Sequence, residues 1–207
     1  MAVQPVRLYD FPFSGNGYKV RLALHQLGLG VERQIVDILK GEARSGDFLA
    51  KNPVGEIPAL ELSDGTVLRE SNAILYWLTE GTPLMPSDRL GRTRVVQWMC
   101  FEQSNIDRVL GRARFLRAYP EFARISTFDM ETWHAVGHRA LGVLDKELRE
   151  KPFILGDSYS VADICLYGYV HTADEGGFEL ARFPAVTAWL SRVAARPGHV
   201  PQRGGPA

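Results

Sequence analysis

The sequence predicts an α/β unit followed by an all-helical one, and three observations carry that prediction. Before residue 80, short β-rich pieces alternate with helical ones. The breaker-rich stretch GTPLMPSD follows, and beyond it strand patterns give way to apolar residues recurring at helical spacing. The expected organisation is residues 1–80 as the α/β unit, 81–92 as a linker, 93–196 as the helical unit and 197–207, rich in Pro and Gly, as a flexible tail.

Taken in order, VRLYDF reads as a strand and GYKVRLALHQLGL as a helix with an apolar face of Val20, Leu22, Ala23, Leu24 and Leu27, ended by Gly28 and Gly30. The strand-like VERQIVDI comes next, then a loop KGEARSGD, the strand IPALEL, a turn at Asp64 and Gly65, the short strand TVLRE and the helix NAILYWLTEG. Four helical stretches follow: RLGRTRVVQWMCFEQSNIDRVLGRARFLRAYP, METWHAVGHRALGVLDKELRE, SVADICLYGYVHTAD and AVTAWLSRVAAR.

Composition narrows the function. In 207 residues, 24 Lys and Arg balance 24 Asp and Glu, so no net field draws nucleic acid or an anionic membrane. There is no apolar run of membrane-spanning length, and MAVQPVRLYDF has neither the charged start nor the apolar stretch of a signal peptide, so a cytoplasmic location is expected. Cys100 and Cys165 lie far apart in helical patterns, without a CxxC or a His cluster of zinc spacing. They read as two buried helix cysteines, and no metal site is expected.

Two short stretches carry chemistry. In NPVGEIPAL, Pro58 stands at the mouth of an apolar strand, where it removes a ladder donor. The residues alone leave a cis bond and a trans strand-starting proline both open. In RESNAIL, Ser71 stands just ahead of the run Ala73, Ile74, Leu75, Trp77 and Leu78, at a helix N-terminus whose exposed N–H groups and positive dipole end bind a carboxylate. Taken bare, such a serine is more often only a helix cap.

Across nearly its whole length the chain resembles the glutathione transferase superfamily. The residues that carry the likeness are LYDFPFSGNGYKVRLAL, NPVGEIPAL, the Asp-Gly hairpin, LRESNAILYWL and ILGDSYSVADICLY, in the expected order and at the expected distances. The pattern is similar to bacterial theta- or nu-like classes of the serine or asparagine type. It implies a thioredoxin-like N-terminal domain, an all-α C-terminal domain, a homodimer, glutathione as co-substrate and a small-molecule electrophile as the second substrate, as in detoxification.

The resemblance also implies residue roles. Pro58 would be cis, presenting the backbone of Ile57 to the cysteinyl amide of glutathione as an extra strand would. Ser71 would hold the γ-glutamyl carboxylate and Glu70 the adjacent ammonium. Lys51 and Arg44, with Lys40 nearby, are the cations within reach of the glycine carboxylate, although each also reads as a surface charge. The thiol, of pKa about 8.5, needs roughly 2.7 kcal/mol of selective stabilisation for a two-unit drop. Ser14 and Asn16, in DFPFSGNGYK between the first strand and helix, are the expected donors, and Tyr9 is the alternative.

No cysteine lies in that loop, which disfavours classes that form a mixed disulfide through a protein thiol. Ser160 and Asp163 have capping-box spacing and are expected to serve folding, with a cap worth about 1–2 kcal/mol. The helix with Trp98, Phe101, Glu102, Gln103, Asn105, Asp107, Arg108, Arg112, Phe115 and Tyr119 reads as the wall of an electrophile pocket and part of a dimer contact. His134, His138 and His171 read as ordinary helix-face histidines. Two further functions are compatible with the same sequence: a glutathione-dependent disulfide or peroxide reductase on the same site, and a non-catalytic interaction module.

Overall fold

The structure, a computed structural model, describes residues 3–125 and 130–202. It divides into two compact units, Met1–Glu80 joined by the segment from Pro197, and Gly81–Arg196.

The first unit is built on a four-stranded sheet of β1 (Pro5–Asp10), β2 (Glu32–Ile35), β3 (Ala59–Leu62) and β4 (Val67–Leu68), in the order β2-β1-β3-β4. β1 runs parallel to β2, as the crossover through α1 (Gly15–Gln26) requires, and antiparallel to β3, with Leu8 opposite Leu60 and Tyr9 opposite Ala59. Side chains alternate along β1, so Leu8 and Asp10 face α1, and Tyr9 faces the other side. There Tyr9 forms a small core with Val36, Ala43, Phe48 and Ala59.

Phe48 belongs to α2 (Gly46–Lys51), a short helix that starts at the end of the expected loop KGEARSGD and continues into residues for which the sequence predicts no element. Ser45 caps it by accepting from the Phe48 N–H at 3.3 Å. Helix α3 (Ser71–Thr79) packs against α1. The strand expected over TVLRE is only the two residues of β4, and VERQIVDI pairs only over β2.

The second unit contains α4 (Arg89–Phe101), a π-helical stretch Glu102–Gly111, α5 (Arg112–Ala118), α6 (Met130–Leu148), α7 (Val161–Val170) and α8 (Pro184–Ala194). The linker expected over 81–92 ends early: Asp88 accepts from the Gly91 N–H at 2.8 Å and starts α4 at Arg89. At the centre of this unit lies Asp163, fully buried at the start of α7 in the expected capping box with Ser160.

The expectation of a flexible tail is corrected for Pro197–Gln202, which belong to the first unit and are tied to α1. The Tyr18 hydroxyl donates to the Val200 carbonyl at 2.7 Å, and Arg21 Nη1 donates to the Gln202 carbonyl at 3.2 Å. Residues 203–207 lie outside the described residues. No helix among the described residues is long and apolar enough to cross a membrane.

Candidate functional site

The turn from β1 into α1 sets the first group. Ser14 is the N-cap of α1: its backbone is extended (φ −68°, ψ 125°), and its Oγ accepts from the Gly17 N–H at 3.0 Å. A hydroxyl used as an acceptor still has its proton to donate. Two residues on, Asn16 Oδ1 accepts the hydroxyl of Ser71 at 2.9 Å.

Ser71 is not the helix cap that the sequence also allowed. It is the first residue of α3 rather than its cap, 4% exposed, and its hydroxyl reaches across to α1. The capping position falls to Glu70, whose φ of 61° is the one positive value outside glycine among the described residues. Such a backbone costs on the order of 1–3 kcal/mol and collects at ligand-binding sites. Two helix N-termini thus meet, neither with an acidic residue in its first turn. Their orphan N–H groups and dipole ends favour anions.

The Ile57–Pro58 bond is cis. Ile57 precedes the first paired residue of β3, and neither its N–H nor its C=O bonds to another described residue. Asn52, 3% exposed, shapes the approach: Nδ2 donates to the Glu56 carbonyl at 2.6 Å, and Oδ1 accepts from the Val54 N–H at 3.1 Å. Gly55 needs its φ of 67°, and a Cβ there would lie 2.6 Å from Arg44 Nη1.

Tyr9 does not fit the role of thiol donor. It is buried on the sheet face opposite α1, and its hydroxyl donates to Glu61 Oε2 at 2.5 Å. That hydrogen bond, followed by the charges of Lys51 and Arg7, holds the Glu61 carboxyl below its usual range. Lys51 is also committed within the chain, 3.5 Å from Glu61 and 5.1 Å above the Tyr9 ring. Arg44 is exposed and donates Nη1 to the Val54 carbonyl at 2.6 Å, and Lys40 pairs with Asp37 at 3.0 Å.

Sequence reasoning missed the buried ion cluster beneath α1. Asp10, 0% exposed, is 2.9 Å from Arg21 and 3.0 Å from Arg33. Burial pushes the Asp10 carboxyl up, and the two guanidinium groups pull it back. A signal was present: Arg21 interrupts the apolar face of VRLAL, and Asp10 ends a buried strand.

In the helical unit, the histidines are engaged structurally. His134 Nε2 meets the Gly176 carbonyl at 3.0 Å, and His171 stacks on Tyr167 and bonds its carbonyl through Nδ1 at 2.6 Å. Cys165 is buried as expected, but Cys100 is exposed because it falls on the outer face of α4. No group of three or more His, Cys, Asp or Glu among the described residues is arranged to hold a metal ion.

Comparison with known proteins identifies the class that this fold and site define. Residues 8–86 match the glutathione S-transferase N-terminal domain, and residues 137–197 match the glutathione S-transferase C-terminal domain. The chain belongs to the glutathione S-transferase family and is a glutathione transferase enzyme. It is 46% identical to the solved glutathione S-transferase of Pseudomonas fluorescens Pf-5, with a TM-score of 0.91 over 95% of this chain and 98% of that one. A glutathione transferase of Burkholderia graminis, solved with two glutathione molecules bound per subunit, is 31% identical with a TM-score of 0.81, covering 93% of this chain and 84% of that one. The disulfide-bond oxidoreductase YfcG of Escherichia coli K12 is 32% identical over 93% of this chain and 91% of its own length.

Proposed function

We propose that glutathione lies along Ile57 and Pro58 with its thiol at the N-terminus of α1 and its γ-glutamyl end at the N-terminus of α3. The observation that carries this reading is the hydrogen bond from Ser71 to Asn16, which brings the two helix ends within the span of one tripeptide. The α-carboxylate meets Ser71 and the first N–H groups of α3, and the exposed Glu70 takes the ammonium. The free N–H and C=O of Ile57 pair with the cysteinyl amide. Arg44 keeps further guanidinium N–H groups for the glycine carboxylate, and we assign it that contact over Lys51, which Glu61 already holds.

The Ser14 hydroxyl, already accepting from Gly17, donates a hydrogen bond to the sulfur and so stabilises the thiolate, and Asn16 supports it. The sulfur then attacks the electrophilic carbon of a small, mostly apolar substrate. A carbon–sulfur bond forms as the leaving group departs with the electron pair, or as the pair moves into the acceptor in an addition. The reading extends to a homodimer acting in the cytoplasm in detoxification, as the family resemblance implies.

A second reaction on the same site is favoured by one observation: Cys100 and Cys165 both lie in the helical unit, so the thiol loop contains no protein thiol. Reduction of a disulfide there runs on two glutathione molecules. The first thiolate cleaves the disulfide and releases one thiol, and the second attacks the mixed disulfide, giving oxidised glutathione and the other thiol. The relatives YfcG and the Burkholderia enzyme support this reading.

The test is a pH titration of the thiolate ultraviolet absorbance of bound glutathione, in the wild type and Ser14→Ala. We expect a pKa about two units below that of the free thiol, returning most of the way in the variant. An unshifted wild-type titration would overturn the reading, and a lowered pKa untouched by Ser14→Ala would move the role to Asn16. Turnover of a small symmetrical disulfide against an aryl halide separates the two reactions.

A further inference from the structure

The loop that presents Ser14 is held from outside itself. Both carbonyls just ahead of the serine are occupied: Arg21 Nη2 donates to Pro12 at 3.3 Å, and Gln202 Nε2 donates to Phe13 at 2.9 Å. The Phe13 carbonyl and the Ser14 N–H belong to one rigid peptide plane. Its N–H end is fixed on the Phe11 carbonyl at 2.9 Å, so Gln202 fixes the other end.

Gln202 is well placed for this. It is 6% exposed, and its own carbonyl accepts from Arg21, which is itself anchored on Asp10. Two residues earlier the strap is secured by Tyr18 at the Val200 carbonyl. A side-chain amide buried this deeply and clamped on its main chain has little freedom to release its partner.

We propose that Gln202 is a positioning residue for the thiol site, setting the plane of the Phe13–Ser14 peptide and through it the direction of the Ser14 hydroxyl. It touches no substrate. Its effect falls on the fraction of glutathione held as thiolate, given Ser14 as the thiolate donor, the reading on which this inference rests.

The experiment is a double-mutant cycle on the full chain with Gln202→Ala, Ser14→Ala and the pair, read by the thiolate titration of bound glutathione, by the kcat and KM for glutathione, and by thermal melts. Gln202→Ala should raise the bound pKa by about half to one unit, a roughly three- to tenfold loss of thiolate below that pKa, with KM for glutathione changed less than about twofold. In the Ser14→Ala background it should add no further shift. Gln202→Glu, of the same shape but without the N–H donor, should behave at least as badly as Gln202→Ala.

A wild-type titration in Gln202→Ala, beside a raised one in Ser14→Ala, overturns the positioning role and leaves Ser14 in place. A shift of equal size in both backgrounds also overturns it, because Gln202 would then act without Ser14. No shift in Ser14→Ala overturns the assignment of Ser14 and this inference with it. If Gln202→Ala does not fold, Tyr18→Phe, which releases Val200 and leaves the Gln202 side chain in the chain, goes through the same cycle with the same expectations.

Discussion

The indole N–H of Trp189 donates to Asp163 Oδ1 at 2.9 Å, which makes the carboxylate a hub rather than a cap alone. Oδ1 also accepts from the Ile154 N–H at 2.9 Å, and Oδ2 accepts from the Ser160 N–H at 2.9 Å and hydroxyl at 3.1 Å. The cap-only expectation of about 1–2 kcal/mol therefore understates the site. Asp163→Ala strands four donors in a fully buried place and should destabilise by about 3–5 kcal/mol in denaturant unfolding. Trp189→Phe, which strands part of the same hub, should cost about 1–2 kcal/mol.

Ser71→Ala removes the hydroxyl at the N-terminus of α3 and leaves Asn16 Oδ1 without that donor. A hydrogen bond to a charged group contributes about 1.5–3 kcal/mol, so the Kd for glutathione by calorimetry should rise about ten- to hundredfold. An unchanged Kd would contradict the placement of the γ-glutamyl end.

Gly17→Ala tests how tightly α1 sits on the buried ion cluster. The new Cβ would lie 1.6 Å from Asp10 Oδ1, and Arg21 and Arg33 hold that carboxylate in place. Destabilisation on the order of 3 kcal/mol is expected in thermal or denaturant melts.

Tyr9→Phe separates the two sheet faces. It deletes the donor to Glu61 and should lower stability by about 1–2 kcal/mol, while glutathione conjugation changes less than about twofold. A large fall in kcat with intact stability would restore Tyr9 as a thiol donor.

His138 gives the helical unit a pH dependence. Burial first, then the charges of Arg182 and His134, hold its pKa below the ordinary 6.5, with Glu179 opposing. Its ring lies against Phe178 and Phe183. As pH falls, the unfolded chain binds the proton first. The contribution is complete above about pH 6.5 and is lost as pH drops toward the lower folded value. Unfolding midpoints at about pH 7.5 and about pH 5.5 should show this loss, and His138→Gln should reduce it.

The parts of the fold legible in the sequence are those with a local period. The strand VRLYDF, the helix after Ser14, the Asp-Gly hairpin and the Ser160–Asp163 box all declare themselves within a dozen residues. Helix α2 does not: within GDFLAK only Phe48 is buried, too little for an apolar face. The π-helical stretch escapes for a related reason, since its apolar spacing resembles that of the α-helices on either side.

The candidate site follows the same division. Ser14, Pro58, Glu70 and Ser71 stand in short motifs, whereas the partners that decide between rival residues come from other elements of the fold. Glu61 draws Lys51 and Tyr9 onto the opposite face, Asp10 gathers Arg21 and Arg33, and Gln202 arrives from the end of the strap. Pairings between separate elements leave no periodic trace.

The strap also bears on the order of folding. Because Pro197–Gln202 follow the whole helical unit in the chain yet belong to the first one, a ribosome releases this piece of the first unit only after Gly81–Arg196 has emerged. The nascent first unit can pair its sheet and seat α1, but the Phe13 carbonyl gains its clamp only once Gln202 has followed the helical unit out. Vectorial synthesis therefore makes the clamp on the turn ahead of Ser14 a late event, set by when the segment Pro197–Gln202 emerges rather than by the pairing of the sheet.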